Sequence, residues 1–107
     1  MANVYTNAKV DLTTTSVTTL YTAPALTTSI VNSILVSEDS GNADTITVTL
    51  TNSASVVFSL FKTKAVSANA TTELLTAPLV LQTGEVLKVT AATAHRLHVV
   101  ASILEVT

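Results

Sequence analysis

From Thr45 to Thr51 the chain alternates threonine with Ile46, Val48 and Leu50, without an exception. Side chains repeat every second residue only in a β-strand. The segment Asp44 to Asn52 is therefore expected as a strand with one buried apolar face and a threonine ladder on the other. A helix would scatter these residues around its whole circumference. The rest of the composition agrees. Threonine is the most frequent residue and valine the next, and both are β-branched and favoured on a pleated surface.

Turn signals divide the remainder into further short strands. Ser29 to Ser37 reads as a strand whose inner face carries Ile30, Ile34 and Val36, with Asn32 as an odd polar member. Glu38-Asp39-Ser40-Gly41-Asn42-Ala43 is the strongest turn signal, and it predicts a hairpin between this strand and the next. Asn52-Ser53-Ala54 leads into a third strand, Ser55 to about Lys64, so that the three form a meander. Val56, Phe58 and Leu60 alternate there, with Val57 and Phe61 opposite. Both faces are partly apolar, which places the strand between a core and a subunit contact.

Thr71 to Leu75, Leu79 to Leu81, Val86 to Ala91 and Arg96 to Val106 follow as strands. Ala77-Pro78 and Gln82-Thr83-Gly84-Glu85 separate them. Ala8 to Thr13 and Val17 to Thr22 are weaker N-terminal candidates. About eight short strands with regular turns suggest an all-β, antiparallel β-sandwich of jelly-roll type, formed by residues 1–107 as a single domain. Leu20-Tyr21-Thr22-Ala23-Pro24 and Leu74-Leu75-Thr76-Ala77-Pro78 echo each other. Two similar sheet corners account for that, since Pro ends a ladder.

The charged fraction is 11%, against about 25% in an ordinary soluble domain. A surface of Thr, Ser and Asn costs less to desolvate than one of Lys and Glu. The net charge of −2 is the wrong sign for a nucleic-acid binder. The chain has no cysteine, which excludes disulfides and Cys-based metal sites. Met1 to Val10 lacks the pattern of a signal peptide. No apolar run approaches the roughly 20 residues of a membrane helix. The chain is expected to be made in the cytoplasm of its host cell.

The residues for catalysis are sparse. No nucleophile elbow, phosphate loop or HExxH pattern occurs, and no enzymatic activity and no cofactor are expected. His95 and His98 are three residues apart, so on a strand they face opposite sides, and a metal site needs three or four converging ligands. Glu38, Asp39, Asn42 and Asp44 form the only acidic cluster. It reads as a solvated turn or, in the alternative, as a calcium-binding loop. Tyr5, Tyr21, Phe58 and Phe61 are dispersed, so no aromatic platform for sugars or single strands is evident. Lys62 and Lys64 share one side of their strand. They serve either as a partner-facing patch or as protection of a sheet edge. Val57, Phe61, Lys62 and Lys64 are the candidate contact residues toward another subunit or a shell.

The run V-T-T-L-Y-T-A-P-A-L-T-T-S-I-V-N-S-I-L-V-S from Val17, followed by G-N-A-D-T-I-T-V-T-L, resembles small Thr/Val-rich β-sandwich virion proteins of tailed bacteriophages. The turn Leu81-Gln82-Thr83-Gly84-Glu85-Val86-Leu87-Lys88-Val89 fits their late Leu-x-x-Gly-(Asp/Glu)-x-Leu-x-Val pattern. One departure is Ala25-Leu26, where such proteins often have Ala-Gly. The resemblance covers nearly the whole chain and rests on turns that shape the fold. It implies a virion component, foremost a capsid cement (decoration) protein that sits as a trimer on the exterior of the head shell against the major capsid protein. Tail, baseplate and fibre proteins are the alternative. A sugar- or calcium-binding module is the alternative from another class.

Overall fold

A computed structural model describes residues 3–107; Met1 and Ala2 of the expected 1–107 domain lie outside the described residues. Nine strands and no helix make up this region: β1 (Asn3–Asp11), β2 (Thr18–Thr22), β3 (Thr28–Glu38), β4 (Asp44–Thr51), β5 (Val57–Val66), β6 (Thr71–Glu73), β7 (Leu79–Leu81), β8 (Val86–Ala91) and β9 (Leu97–Val106). One sheet has the order β1-β9-β3-β6, with β7 also pairing to β3, and the other has the order β2-β8-β4-β5. All pairs are antiparallel. If β6 and β7 are taken as one interrupted strand, eight strands remain in two four-stranded sheets, and every connection except the β4–β5 hairpin crosses from one sheet to the other. That is the jelly roll.

The core lies between the sheets. β4 contributes Ile46 and Val48, β8 contributes Leu87, Val89 and Ala91, and β9 contributes Leu97, Val99, Ala101 and Ile103. The alternation of β4 holds as read: its threonines are half-buried on the outer face while Asp44, Ile46 and Val48 point inward. At one end of the core the Tyr21 hydroxyl reaches across from β2 to Ser29 Oγ on β3 at 2.7 Å, and it donates to the Glu105 carboxylate on β9.

Three sequence expectations change. β3 and β4 do not form a hairpin: β3 pairs with β9, β6 and β7, whereas β4 pairs with β8 and β5. The turn from Glu38 to Ala43 carries the chain from one sheet to the other, because both strands present a buried face that must meet across the core. Of the expected meander only the β4–β5 hairpin remains. Second, Ile34 and Val36 lie on the inner face of β3 as expected, but Ile30 does not. A β-bulge lies between Val31 and Ser33. It shifts the inward set from Ser29 and Val31 to Ile34, Val36 and Glu38, and leaves Ile30 half-exposed. An extra residue in a strand reverses the facing of everything after it. Third, the first strand starts at Asn3, not Ala8.

Gly84 shows why the late turn needs its glycine. Its φ is +83°, a region that costs other residues about 1 kcal/mol or more. The turn is tied to the end of β2 by Gly84 N–H to Ala23 O and Ala23 N–H to Glu85 O, at 3.0 and 2.9 Å.

Candidate interaction surface

The sandwich has two flanks, each made by one edge of either sheet. β1 lies beside β2 on one, and β5 lies beside the interrupted β6–β7 edge on the other. The sequence-derived contact residues Val57, Phe61, Lys62 and Lys64 all fall on β5, an edge strand. Val57 is 60% exposed, and Lys62 and Lys64 are exposed as well. Phe61 is half-buried and packs against the core. β5 carries two register shifts against β4, between Ile46 and Val48 and between Val48 and Thr49. Thr63 adopts a positive φ of 50° at the first of them. Two bulges and two lysines on a sheet edge are devices that prevent continuous pairing with another strand. The edge-protection reading of Lys62 and Lys64 thus has its geometry. A contact through this strand would be made by side chains and not by backbone pairing.

Of the four contact residues, Phe61 lines a groove. Leu60, Phe61, Leu74, Leu75, Pro78 and Leu79 line a hollow of about 310 Å³ between β5 and the break in the opposite edge. The break is local chemistry. Pro78 has no N–H to give, so the strand that begins at β6 stops and resumes as β7. Across the gap Leu74 N–H still donates to Ile34 O at 2.9 Å. The Glu73 carboxylate fills the rest. It accepts from Ile34 N–H at 2.9 Å, from Leu75 N–H at 3.2 Å and from the Ser33 hydroxyl. Burial works to raise the Glu73 pKa, but these donors outweigh it and hold the carboxyl below its ordinary value. Val56 and Phe58, each about half exposed, extend the apolar surface beyond the groove.

The acidic cluster from the sequence does not converge. Glu38 is only 2% exposed. Its carboxylate accepts from Ser40 N–H and hydroxyl, from Gly41 N–H and from Asn69 N–H, so it knits the β3–β4 and β5–β6 loops together. Burial raises its pKa, yet the hydrogen bonds from Ser40, Asn69 and Gly41 bring it down to about 2. Asp44 turns inward and accepts from Thr93 N–H at 3.0 Å. Asp39 faces elsewhere, toward His98 Nδ1 at 3.5 Å, while His98 Nε2 meets Asp11 at 3.2 Å. His95 stands apart in the turn before β9, at a φ of +65°. No group of three or more His, Cys, Asp or Glu side chains among the described residues is placed to hold a metal ion.

Sequence reasoning missed the carboxylate plug at Glu73 and the tie of Tyr21 to Ser29 and Glu105. The partners lie 40 and 84 residues apart, and no local pattern links them. The bulge in β3 did leave a signal. Asn32 is the polar residue that breaks an otherwise apolar face, and it sits between the residues where the register shifts.

No family model matches the sequence, and no curated protein matches it. Among solved structures, a chain in the structure of the infectious bursal disease virus Gt strain is similar in fold. The TM-score is 0.50 at 10% identity, over 98% of this chain and 30% of that one. The likeness is one of architecture: a jelly roll that accounts for the present chain almost end to end and for a minor part of the viral one. No described residue lies in a helix able to cross a membrane.

Proposed function

We propose that this chain is a structural component of a virion, and more narrowly a capsid cement protein of a tailed bacteriophage. In this reading it self-associates on the outside of the head shell as a three-copy unit and binds the major capsid protein. It carries no catalytic activity and needs no cofactor. The observation that carries the reading is the apolar β5 flank, where Leu60 and Phe61 line a groove and Val56, Val57 and Phe58 add exposed apolar side chains on an otherwise low-charge surface. Such a flank loses little polar hydration when a neighbour covers it. Repeated over a lattice, weak contacts of this kind add up through effective concentration. The jelly roll supports the reading as an architecture that recurs in viral capsid domains. The number of copies, the phage source and the shell partner come from the resemblance of the turn and strand motifs.

Light scattering on the purified protein measures self-association, and mass spectrometry of purified particles counts copies. The expected result is an oligomer in solution and a protein present in hundreds of copies per particle, as the resemblance implies. A chain that stays monomeric at high concentration and is absent from particles would overturn the proposal. A low copy number would move it to the tail or baseplate.

A further inference from the structure

The four sheet edges differ in how they are guarded. β2 has five residues and a bulge, and Pro24 follows it closely. β5 has two bulges and two lysines. β6 and β7 have three residues each. β1 alone is long and regular. It pairs with β9 from Asn3 to Asp11 in unbroken register, holds no Pro or Gly, and carries one lysine. Leu12 N–H donates to Leu97 O. Alternation then turns the backbone groups of Val4, Thr6, Ala8 and Val10 toward β9, and those of Asn3, Tyr5, Asn7, Lys9 and Asp11 outward. Nothing pairs with that outer edge among the described residues. Tyr5 and Val4 beside it are 80% and 51% exposed.

We infer that β1 pairs with β1 of a second copy, antiparallel, about a two-fold axis at Asn7. An isologous contact requires a strand that is complementary to itself when reversed, and this one is. With Asn7 opposite Asn7, all nine residues overlap. Val4 meets Val10 on the inner face, as Thr6 meets Ala8. On the outer face Tyr5 lies beside Lys9, a cation against an aromatic ring, and Asn3 meets Asp11. No like charges face each other. An axis at Lys9 or Asp11 would oppose identical charges and shorten the overlap. The Asp11 carbonyl already accepts from Thr13 N–H at 3.0 Å, so the outermost pair keeps only one of its two bonds. The result is one sheet running through two copies. This contact goes beyond the virion reading and is separate from any three-copy contact on the β5 flank.

The test uses the full chain, which has no native cysteine. Asn7→Cys treated with a short bis-maleimide should give a two-chain product, whereas Asn42→Cys, in the exposed β3–β4 turn, should give little. Asn7→Lys places two ammonium groups across the axis. It should halve the mass seen by light scattering, from six copies to three if the three-copy unit exists and from two to one if it does not. Both substitutions sit on an exposed side chain whose backbone faces away from β9, and circular dichroism verifies the fold. Two results overturn the inference: cross-linking at position 7 no greater than at position 42, or an unchanged mass for Asn7→Lys. Either leaves the virion proposal standing on its own test of self-association and particle composition.

Discussion

The two flanks of the sandwich close by different chemistry. On the β5 flank the ladder is broken by Pro78, and carboxylates take over its work: Glu73 caps the free amides of the gap and Glu38 joins two loops. On the β1 flank the β1–β9 ladder is unbroken, and a phenol joins the sheets, Tyr21 to Ser29 and Glu105. Guarding runs parallel to closure. The interrupted flank has a bulged, lysine-bearing edge with exposed apolar side chains, whereas β1 on the other flank leaves a regular row of backbone groups unpaired among the described residues. One fold thus presents two kinds of exposed edge, and each can be perturbed separately.

The largest effect is expected where the broken flank is nailed to the core. Leu74 is 5% exposed and its amide holds the gap to Ile34. Leu74→Ala should cost about 2–5 kcal/mol, read by urea unfolding. Val4→Ala on the other flank removes a half-exposed side chain and should stay within about 0.5 kcal/mol. Equal losses would mean that the flanks do not differ in this way.

The pH dependence separates the flanks next. The Glu38 pKa is lowered from 4.5 to about 2, so its contribution is full above pH 4.5 and is lost as pH falls toward 2. Glu73 is lowered as well and acts in the same sense. Tyr21 is raised from 10.0 to about 12, by burial first and then by the bond to Glu105. Its contribution is full below pH 10 and is lost as pH rises through 12. Acid should therefore weaken the β5 flank and alkali the β1 flank. In melting curves against pH, Glu38→Gln should flatten the acid limb alone and Tyr21→Phe the alkaline limb alone. At neutral pH Tyr21→Phe should cost about 1–2 kcal/mol, the loss of a hydrogen bond to a charged acceptor.

The legible part of this molecule was whatever repeats locally. The β4 alternation, the Gly84 turn and the Pro78 break can each be read from a few neighbouring residues, and together they specify an all-β sandwich. What failed was pairing. A strong turn after Glu38 is compatible with a hairpin and with a crossover between sheets, and only the burial of both strands against each other decides. The candidate contact strand was found because its apolar residues occupy both faces. Its bulges were not, because they follow from its register with β4. β1 was only partly recognised, since Asn3 to Asn7 is mixed in polarity and owes its extended form to nine residues of pairing with β9.

The smallest effect concerns the loop that carries the β1 flank into β3. Leu26 is 90% exposed and has a φ of +56°. Its neighbours hold it there. Thr27 N–H donates to Thr83 Oγ1 at 3.1 Å, the Thr83 hydroxyl donates back to Thr27 O at 2.8 Å, and the Thr27 hydroxyl donates to Ala25 O at 3.0 Å. A leucine side chain in the left-handed region costs about 1–2 kcal/mol, which glycine does not incur. Glycine also gives the unfolded chain more freedom, and that offsets part of the gain. Leu26→Gly should therefore raise stability by about 0.5–1 kcal/mol, seen as a higher urea midpoint with an unchanged slope. A fall in stability would show instead that the exposed leucine makes a stabilising contact within the folded chain.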